Sequence, residues 1–418
     1  MRVAIVGAGY SGTIAAVEIA RAAPGAGIVL IEKSGRFAAG AAYGTDSPGH
    51  LLNVRARNMS ALAGEPGHFA DWAAGRGFDA DDYVPRRVYR EYLGELLADV
   101  AAERVVDEAV AVEADGLRLS SGALVACDAV VLAGGNYPSR LPGAFGEAAI
   151  DDPWSAAGRE AVARAAAGGG ELLLVGTGLT MIDMAVSLEE AGFAGRITAC
   201  SRRGLVPRAH VAPPVAPEAW QPPERLGEAM RALRAREPWR GAVDGLRPHT
   251  QAMWRGFTLA EKKSFLRHLR PWWDVHRHRI APAVAARIAR MREEGRLEVV
   301  AGRIARVEGD RVTIERRGGV GSFTRRYAAA INCTGPEGRI DRVGDPLLRQ
   351  LLSSGLARAD ALGLGLDVDE GSRVLGSGPA PALYALGPLS KGAFWEIVAV
   401  PDIRGQAESV AKAIAASD

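Results

Sequence analysis

A chain of 418 residues is longer than one ordinary hydrophobic core supports, so two domains are expected. Hydrophobic residues make up 48% and charged residues 24%, and the net charge of +2 gives no reason to expect a nucleic acid or an anionic membrane as main partner. No run approaches the roughly 18 apolar residues of a membrane helix. Met1 leads into an apolar strand without a readable signal peptide, so a cytoplasmic protein is predicted.

The N-terminal stretch RVAIVGAGYSGTIAAVEIA predicts a buried strand, a glycine turn and a helix. Gly7, Gly9 and Gly12 have the spacing of a dinucleotide-binding turn, where glycines allow a tight turn, close approach of a pyrophosphate and close helix–strand packing. The phosphates would lie at the helix N-terminus, beside Tyr10 and Ser11.

The next predicted strand, IVLIEKS, carries Glu32 near its end, 20 residues after Gly12, and Lys33 follows. A carboxylate at this place hydrogen-bonds ribose hydroxyls and repels a 2′-phosphate. The first site is therefore predicted to take FAD or NAD, and not NADP. An ordinary strand–helix turn with incidental glycines is the alternative.

A second unit of the same kind, ELLLVGTGLTMIDMAVSL, lies in the middle of the chain. Gly176 and Gly178 repeat the first two glycines, Leu179 and Thr180 begin the helix, and Met181 replaces the third glycine. This copy is the looser of the two.

The strand after the second turn, RITACSRRG, has Ser201, Arg202 and Arg203 where the first copy has an acid. A hydroxyl and two guanidiniums can bind a 2′-phosphate through charge-assisted hydrogen bonds, so NADPH is predicted here. The alternative is a pair of arginines that merely face solvent.

Each turn is followed by a β-rich passage that closes on a glycine, at Gly134 in the first half and at Thr334–Gly335 in the second. The predicted fold is α/β, with two Rossmann-like, three-layer ββα domains. Residues 1–165 and 330–418 would form the FAD-binding domain, and 166–329 the NADPH-binding domain with a helical insert at about 207–295. Two sites would let a hydride pass from NADPH to the flavin.

The insert contains the run RPWWDVHRHR. On a helix, Asp274 and His278 (i, i+4) and His276 and Arg279 (i, i+3) would share a face towards a cleft. Arg277 or Arg279 could then hold a substrate carboxylate or a NADPH phosphate, with His278 nearby. A structural ion-pair cluster around buried tryptophans is the equal alternative.

The three cysteines, Cys127, Cys200 and Cys333, are far apart in sequence. None belongs to a C-x-x-C or C-x4-C pair, so neither a metal site nor a redox-active dithiol is predicted.

Together with the two turns, the segments GAAYGT, HLLNVRARNMS, WWDVHRHRIAP and FWEIVAVPDIRGQ carry a resemblance. Over nearly the whole chain, the sequence resembles the two-dinucleotide-binding-domain flavoproteins, the superfamily of glutathione reductase and the class B flavin monooxygenases. More narrowly, it is similar to a bacterial family of FAD/NAD(P)-binding proteins, members of which have been linked to N-oxygenation of amino-acid substrates.

The resemblance implies where the flavin lies. Asn53 would contact substrate or a flavin oxygen, although an ordinary strand end is an alternative for it. The superfamily usually has Gly-Asp against the ribityl chain, whereas this chain has Gly387 followed by Pro388. Trp395 and Glu396 are expected nearest the flavin ring, before a helix whose N-terminus could stabilise negative charge on it. A core tryptophan with a capping glutamate is the alternative.

The predicted function is an FAD-dependent, NADPH-oxidising oxidoreductase. The missing dithiol excludes the disulfide reductases, so a monooxygenase is favoured, acting through a flavin C4a-(hydro)peroxide on a small molecule, with N-hydroxylation of an amino-acid-like substrate preferred and O2 as co-substrate. The alternatives are a flavin reductase or dehydrogenase without oxygen insertion, and a non-enzymatic flavin-binding redox sensor.

Overall fold

The computed structural model describes residues 1–417. Its strands are β1 (Arg2–Val6), β2 (Gly27–Ile31), β3 (Ala102–Val105), β4 (Ala109–Glu113), β5 (Gly116–Leu119), β6 (Leu124–Ala126), β7 (Ala129–Leu132), β8 (Ala149–Ile150), β9 (Leu172–Val175), β10 (Ile197–Ser201), β11 (Leu297–Glu308), β12 (Arg311–Arg316), β13 (Ser322–Arg326), β14 (Ala329–Asn332) and β15 (Ala382–Ala385). Its helices are α1 (Tyr10–Ala22), α2 (Gly40–Tyr43), α3 (His68–Ala74), α4 (Arg86–Ala98), α5 (Ala156–Gly168), α6 (Leu179–Glu190), α7 (Leu226–Arg234), α8 (Trp239–Gly245), α9 (Thr250–Gly256), α10 (Leu259–Ser264), α11 (Arg270–Arg277), α12 (Pro282–Glu293), α13 (Pro346–Ser354) and α14 (Val400–Ala415).

The first sheet is parallel throughout, in the order β15-β7-β1-β2-β3. Its central strands are continuous apolar runs because both faces are covered. Helices α1, α4 and α14 pack on one face, and the antiparallel meander β4-β5-β6 with α13 packs on the other. The predicted three-layer ββα architecture is confirmed here.

The second sheet has the order β13-β12-β11-β10-β9-β14-β8. Strands β11, β10, β9, β14 and β8 are parallel, and β11 continues beyond them to pair antiparallel with β12. The second half therefore repeats the plan of the first, with its meander joined to the edge of the sheet.

Residues 149–165 differ from the predicted division of the chain. Ala149 and Ile150 pair with β14 of the second sheet, and α5 packs against α6. This segment, assigned from sequence to the first domain, lies with the second because its backbone hydrogen bonds complete that sheet. Strand β14, which spans the predicted boundary at 330, also belongs to the second sheet.

Six helices, α7 to α12, lie between β10 and β11. Trp254 and Phe265 of this insert form an apolar cluster with Trp395, so part of the C-terminal segment packs into the insert, whereas α12 packs in the core of the second domain. Within residues 1–417, no helix is long and apolar enough to cross a membrane.

Candidate functional site

The two glycine turns have the same backbone geometry. Gly7 has φ +96° and Gly176 φ +119°, a region that favours glycine. A Cβ at Gly7 would lie 2.6 Å from the carbonyl oxygen of Ala133, and one at Gly176 would lie 2.1 Å from that of Cys333. Each turn therefore packs closely against the residue that follows a neighbouring strand, Ala133 after β7 and Cys333 after β14. The two halves of the chain share this contact as well as the turn.

Helices α1 and α6 begin directly after these turns, with Gly9 and Gly178 as their N-cap residues. Neither cap has a side chain to satisfy the first N–H groups of its helix, which are free to bind an anion such as a pyrophosphate. Tyr10 and Ser11 in the first copy, and Leu179 and Thr180 in the second, lie in these first turns. The side chain of Tyr10 is buried and donates its hydroxyl to the carbonyl of Val400 (3.1 Å).

Glu32 lies immediately after β2, beside the first turn. Its carboxylate accepts the backbone N–H of Ala8 (3.0 Å) and both the N–H and the hydroxyl of Ser34 (3.0 and 2.7 Å). Lys33 pairs with Glu108 (2.9 Å) across a cleft of about 160 Å³. The cleft wall also includes Gly7, Asp107, Gly134, Tyr137 and Asp345.

This cleft fits the adenosine half of a dinucleotide. It adjoins the glycine turn, it has a carboxylate for ribose hydroxyls, and its acidic wall would repel a 2′-phosphate. Glu32, Gly134 and Lys33 are brought together as the sequence predicts. Tyr137 and Asp107 were not predicted, because no motif marks them.

The C-terminal segment closes on the first turn at Gly387. Its N–H donates to Gln406 Oε1 (2.8 Å), and a Cβ at Gly387 would lie 2.8 Å from Ser11 Oγ. Gln406 is buried and also donates to Ser372 and Ser390 (2.9 Å each). The Gly387 N–H is therefore occupied, and Pro388 has none to offer, so this pair holds the segment in place.

The second turn has a different polar environment. Thr177 Oγ1 lies 2.7 Å from Ser201 Oγ, which in turn accepts the N–H of Gly204 (3.0 Å). The Ser201 hydroxyl thus shapes the loop after β10. Arg202 and Arg203 form no hydrogen bond or ion pair with any residue in 1–417, and Arg202 is exposed. Two uncommitted guanidiniums follow the strand where the first copy has Glu32.

Thr334 and Gly335 lie in the crossover that returns the chain to the first domain. Ser139 Oγ is 2.9 Å from Thr334 Oγ1 and donates to the carbonyl of Gly335 (2.8 Å), and Asn332 donates to the Ser139 carbonyl (2.9 Å). The two crossing segments are therefore hydrogen-bonded to each other next to the second turn.

The predicted helical face of the WWDVHRHR run is wrong in its C-terminal part. Helix α11 ends at Arg277, and His278 has non-helical backbone angles (φ −96°, ψ 78°), so His278 and Arg279 leave the helix in different directions. Arg279 is 5% exposed and pairs with Asp244, whereas Arg277 faces the C-terminal segment. Periodicity extended the helix too far because Ile280 pairs as an extended bridge with Ala209, exchanging backbone hydrogen bonds with Arg208 and His210.

Arg277 and His278 both contact the carboxylate of Glu396. Its carboxylate accepts Arg277 Nε (3.0 Å) and the indole N–H of Trp273, and it lies 3.5 Å from His278 Nε2. Burial by itself would raise the pKa of Glu396, but Arg277 and His278 lower it, and the pKa is lowered overall. Burial also lowers the pKa of His278. Glu396 is therefore an anion neutralised by Arg277.

Glu396 has φ +66°, an uncommon conformation for a residue with a side chain. The neighbouring Trp395 is 4% exposed and stacks on Trp254 of α9, with ring centroids 4.7 Å apart. Both side chains thus point into the insert. The prediction that Trp395 and Glu396 lie nearest the flavin ring stays a prediction. The ion pair of Glu396 with Arg277 matches the alternative given for the WWDVHRHR run, an ion-pair cluster around buried tryptophans.

Asn53 lies beside the start of the insert, where its carbonyl accepts His210 Nε2 (2.9 Å). It is not a strand end, because the pairing in this segment is a single isolated bridge between Leu51 and Pro85. Burial, then Arg279, lowers the pKa of His210 to about 4, so its ring is neutral.

Two features of the site could not be read from the sequence. Arg86 of α4 forms two hydrogen bonds with Asp183 of α6 (2.8 and 3.0 Å), and both side chains are nearly buried, so this pair links the two dinucleotide domains. Lys391 follows the Gly387 turn, with its Nζ 5.1 Å from the Trp395 ring centroid and no ion pair with any described residue. Burial lowers the pKa of Lys391 to about 8.

The three cysteines are free and buried. Burial raises the pKa of Cys127 and Cys200 to about 11 and that of Cys333 further. None is poised as a thiolate, which is the reactive form.

Comparison with known proteins agrees with this geometry. Residues 4–137 match the model of a family described as FAD-NAD(P)-binding. The region that holds the first turn and the Glu32 cleft is thus an FAD/NAD(P)-binding domain, which confirms the predicted class of cofactor. A search of curated proteins found no match.

Solved structures share the fold over the whole chain. The ornithine hydroxylase of Pseudomonas aeruginosa superposes with a TM-score of 0.68 at 15% identity, covering 99% of this chain and 98% of that one. For the ornithine N-hydroxylase of Kutzneria sp. 744, in complex with reduced FAD, NADP+ and L-ornithine, the TM-score is 0.69 at 14% identity, with 99% of each chain covered. The thioredoxin reductase of T. acidophilum gives 0.54 at 13% identity, covering 99% and 97%.

The chain therefore has the fold of the two-dinucleotide-binding-domain flavoproteins. The family match and the fold together support the prediction of an FAD-dependent, NADPH-oxidising oxidoreductase.

Proposed function

We propose that this chain is an FAD-dependent, NADPH-oxidising monooxygenase that hydroxylates the nitrogen of a small amine-bearing substrate. The observation that carries the proposal is the pairing of two glycine turns of the same backbone shape with no reactive thiol in the described residues. Electrons that pass from NADPH at the second turn to the flavin at the first have no dithiol to accept them next.

FAD would be held by the first half of the chain. The first-turn N–H groups of α1 bind the pyrophosphate, Glu32 accepts the ribose hydroxyls, and the cleft between Lys33 and Tyr137 receives the adenine. When bound, the flavin accepts a hydride from NADPH and activates O2, chemistry that side chains alone do not supply.

NADPH would be held by the second half. Helix α6 offers its N-terminus to the pyrophosphate, and Arg202 and Arg203 bind the 2′-phosphate through charge-assisted hydrogen bonds. Their lack of any other partner supports this role, since an arginine already paired would have to break a contact first.

The insert and the C-terminal segment would exclude water from the reacting end. Glu396 receives hydrogen bonds from Trp273 and Arg277 of α11, and Trp395 packs into the insert. These contacts fix the insert over the segment that also closes on Ser11, in the first turn of α1 where the FAD pyrophosphate would bind. A dry site favours oxygen transfer to substrate over uncoupled reduction of O2 to hydrogen peroxide.

The reaction balances as R–NH2 + O2 + NADPH + H+ giving R–NHOH + H2O + NADP+. One oxygen atom forms the new N–O bond, and the other leaves as water with two protons. The hydroxylases whose fold this chain shares are described as acting on ornithine, and the proposal carries only the reaction type from them.

The test is isotopic. Purified protein loaded with FAD is given NADPH, ¹⁸O2 and a panel of primary amines and amino acids, and products are analysed by mass spectrometry. A hydroxylamine carrying one ¹⁸O atom per NADPH consumed is the expected result.

A reduced product without ¹⁸O would overturn the monooxygenase and identify a flavin reductase. Failure to oxidise NADPH with any acceptor, in protein that holds FAD, would identify a binding protein or redox sensor instead.

A further inference from the structure

The two nucleotide-binding domains meet along α6, the helix that begins at the second glycine turn. Asp183 is the fifth residue of this helix, about 6 Å along its axis from the first. Its carboxylate accepts hydrogen bonds from both terminal nitrogens of Arg86 on α4 (2.8 and 3.0 Å), and each of the two side chains is only 11% exposed. A bidentate pair of this kind fixes the angle between its partners as well as their distance.

Hydrogen bonds from the first domain hold both partners of this pair in place. Arg86 Nε donates to the carbonyl of Leu51 (3.1 Å), and His50 Nε2 lies 2.9 Å from the carbonyl oxygen of Asp183. A carbonyl can only accept, so Nε2 carries the hydrogen, and Nδ1 accepts the hydroxyl of Thr45 (2.8 Å). Burial lowers the pKa of His50, which keeps the ring in the neutral form that this arrangement needs. We call Arg86, His50 and Asp183 the domain clamp.

The surfaces beside the domain clamp leave no room for a side chain at Gly49. A Cβ there would lie 2.3 Å from Glu190 Oε1, 2.5 Å from Arg287 Nη1 and 2.8 Å from Val186 Cγ1, all in the second domain. Leu51 of the first domain also packs against the apolar core of the second. Parting the domains would therefore expose apolar surface as well as break the ion pair.

Two further contacts join the domains on the side of the insert. The carbonyl of Asn53 accepts His210 Nε2 (2.9 Å) where the insert begins. Arg247 of the insert pairs with Asp402 (2.9 Å) of α14, a helix that belongs to the core of the first domain. Rotation of one domain about an axis through any two of these three regions would break the third, so together they hold one orientation.

The domain clamp lies where a displacement would affect hydride transfer. The N-terminus of α6 is the proposed site of the NADPH pyrophosphate, and the N-terminus of α1 is that of the FAD pyrophosphate. A hydride passes when its donor and acceptor atoms are about 3–3.5 Å apart, and a misplacement of about 1 Å can slow such a step roughly 100-fold. A shift of α6 against the first domain would move NADPH relative to the flavin.

We propose that Arg86 and Asp183 are positioning residues for reduction of the flavin. The domain clamp keeps the two domains in a single orientation, in which bound NADPH delivers its hydride without domain rotation. The step balances as NADPH + H+ + FAD giving NADP+ + FADH2. The proposal rests on the placement of FAD and NADPH proposed above and is independent of what the reduced flavin does next.

The first test measures the distance between the domains in FAD-loaded protein. Nitroxide labels are attached through Ala98→Cys at the exposed end of α4 and Ala163→Cys at an exposed position of α5, whereas the three native cysteines are buried. Pulsed electron–electron double resonance should give one narrow distance distribution, the same with and without NADP+. A second population, or a shift of the distribution on adding NADP+, would overturn the proposal.

The second test measures flavin reduction by NADPH in the absence of O2, by rapid mixing. Asp183→Asn removes the charge but keeps the shape of the side chain, so the limiting rate should fall roughly tenfold or more, while the FAD content and the dissociation constant for NADP+ stay within about twofold. Arg86→Lys keeps the charge with a single point of contact and should lose less. An unchanged limiting rate in Asp183→Asn would show that the pair only stabilises the fold.

The third test displaces the domains without removing a charge. Gly49 lies outside the left-handed region, so Gly49→Leu inserts a side chain between the domains without straining the backbone. This variant should broaden the label distances and slow flavin reduction. Gly25→Leu is the control, in an exposed turn between α1 and β2 where nothing lies within 4 Å of the added Cβ, and it should change neither. Reduction at the normal rate despite broadened distances would refute the positioning role.

These results are separable from the oxygen chemistry. If Asp183→Asn slows flavin reduction but no hydroxylamine forms with ¹⁸O2, the domain clamp stands and the monooxygenase fails. If hydroxylamine forms but the variants reduce the flavin at the unaltered rate, the monooxygenase stands and the positioning role fails.

Discussion

The two nucleotide turns share a backbone but differ in the charges around them. In the first, Glu32 is held by Ala8 and Ser34, and Lys33 is paired with Glu108. In the second, Arg202 and Arg203 have no partner among the described residues. The backbone of each turn thus suits any dinucleotide, and the side chains that follow β2 and β10 determine which dinucleotide binds.

The largest effect should come from breaking one turn at a time. Gly7→Ala places a Cβ 2.6 Å from a carbonyl oxygen at φ +96°, a cost of about 3 kcal/mol that should weaken FAD binding roughly 100-fold. Gly176→Ala should instead keep the flavin and lose its reduction by NADPH. Flavin absorbance and NADPH oxidation measure the two effects.

Gly168→Ala, at the exposed end of α5 and outside both turns, is the control, because nothing lies within 4 Å of its added methyl group. If Gly7→Ala and Gly176→Ala lose both cofactors equally, the two turns are one folding unit and the comparison fails.

A smaller effect is expected from the free guanidiniums. The double change of Arg202 and Arg203 to Ala should raise KM for NADPH roughly 10- to 100-fold and leave KM for NADH nearly unchanged, since only NADPH carries the 2′-phosphate. Steady-state kinetics with both nucleotides test this. Lys33→Ala, the corresponding position of the first copy, should alter neither value; equal use of NADH and NADPH by the unaltered protein would contradict the assignment.

Glu32→Gln should weaken FAD by about 1–2 kcal/mol, or roughly tenfold, because an amide accepts ribose hydroxyls less strongly than a carboxylate does. Titration of the apoprotein with FAD gives the dissociation constant. The melting temperature of the Glu32→Gln variant without FAD shows whether its contacts with Ala8 and Ser34 are kept. An unchanged affinity for FAD would show that Glu32 does not contact the cofactor.

The smallest expected effect is that of salt. Exposed charges are screened within about 10 Å at 0.1 M salt, so KM for NADPH should rise several-fold between ~0.05 and ~0.5 M salt. FAD binding should change less, because Glu32 acts through short hydrogen bonds in a cleft. The same salt dependence for both cofactors would show that Arg202 and Arg203 are not the distinguishing charges.

The insert shows where reasoning from the sequence reached its limit. The run WWDVHRHR predicted a cluster of charges on one face of a helix that includes Arg279, but the helix ends at Arg277. Arg277 and His278 turn to Glu396, and Arg279 turns away to Asp244. A cluster expected to hold a substrate carboxylate is thus internally neutralised. Lys391, which no motif marks, lies over the Trp395 ring and forms no ion pair with a described residue.

The sequence by itself determined the two turns, the carboxylate after the first and the arginines after the second, because strand, turn and helix are set by residues adjacent in the chain. It also determined the ββα plan, since apolar strands and meanders repeat after each turn. The tertiary structure decided which charges remain free. Glu396 meets Arg277 across 119 positions and Arg86 meets Asp183 across 97. It also decided that Trp395 lies in the apolar cluster of the insert, because that contact depends on how separate segments pack.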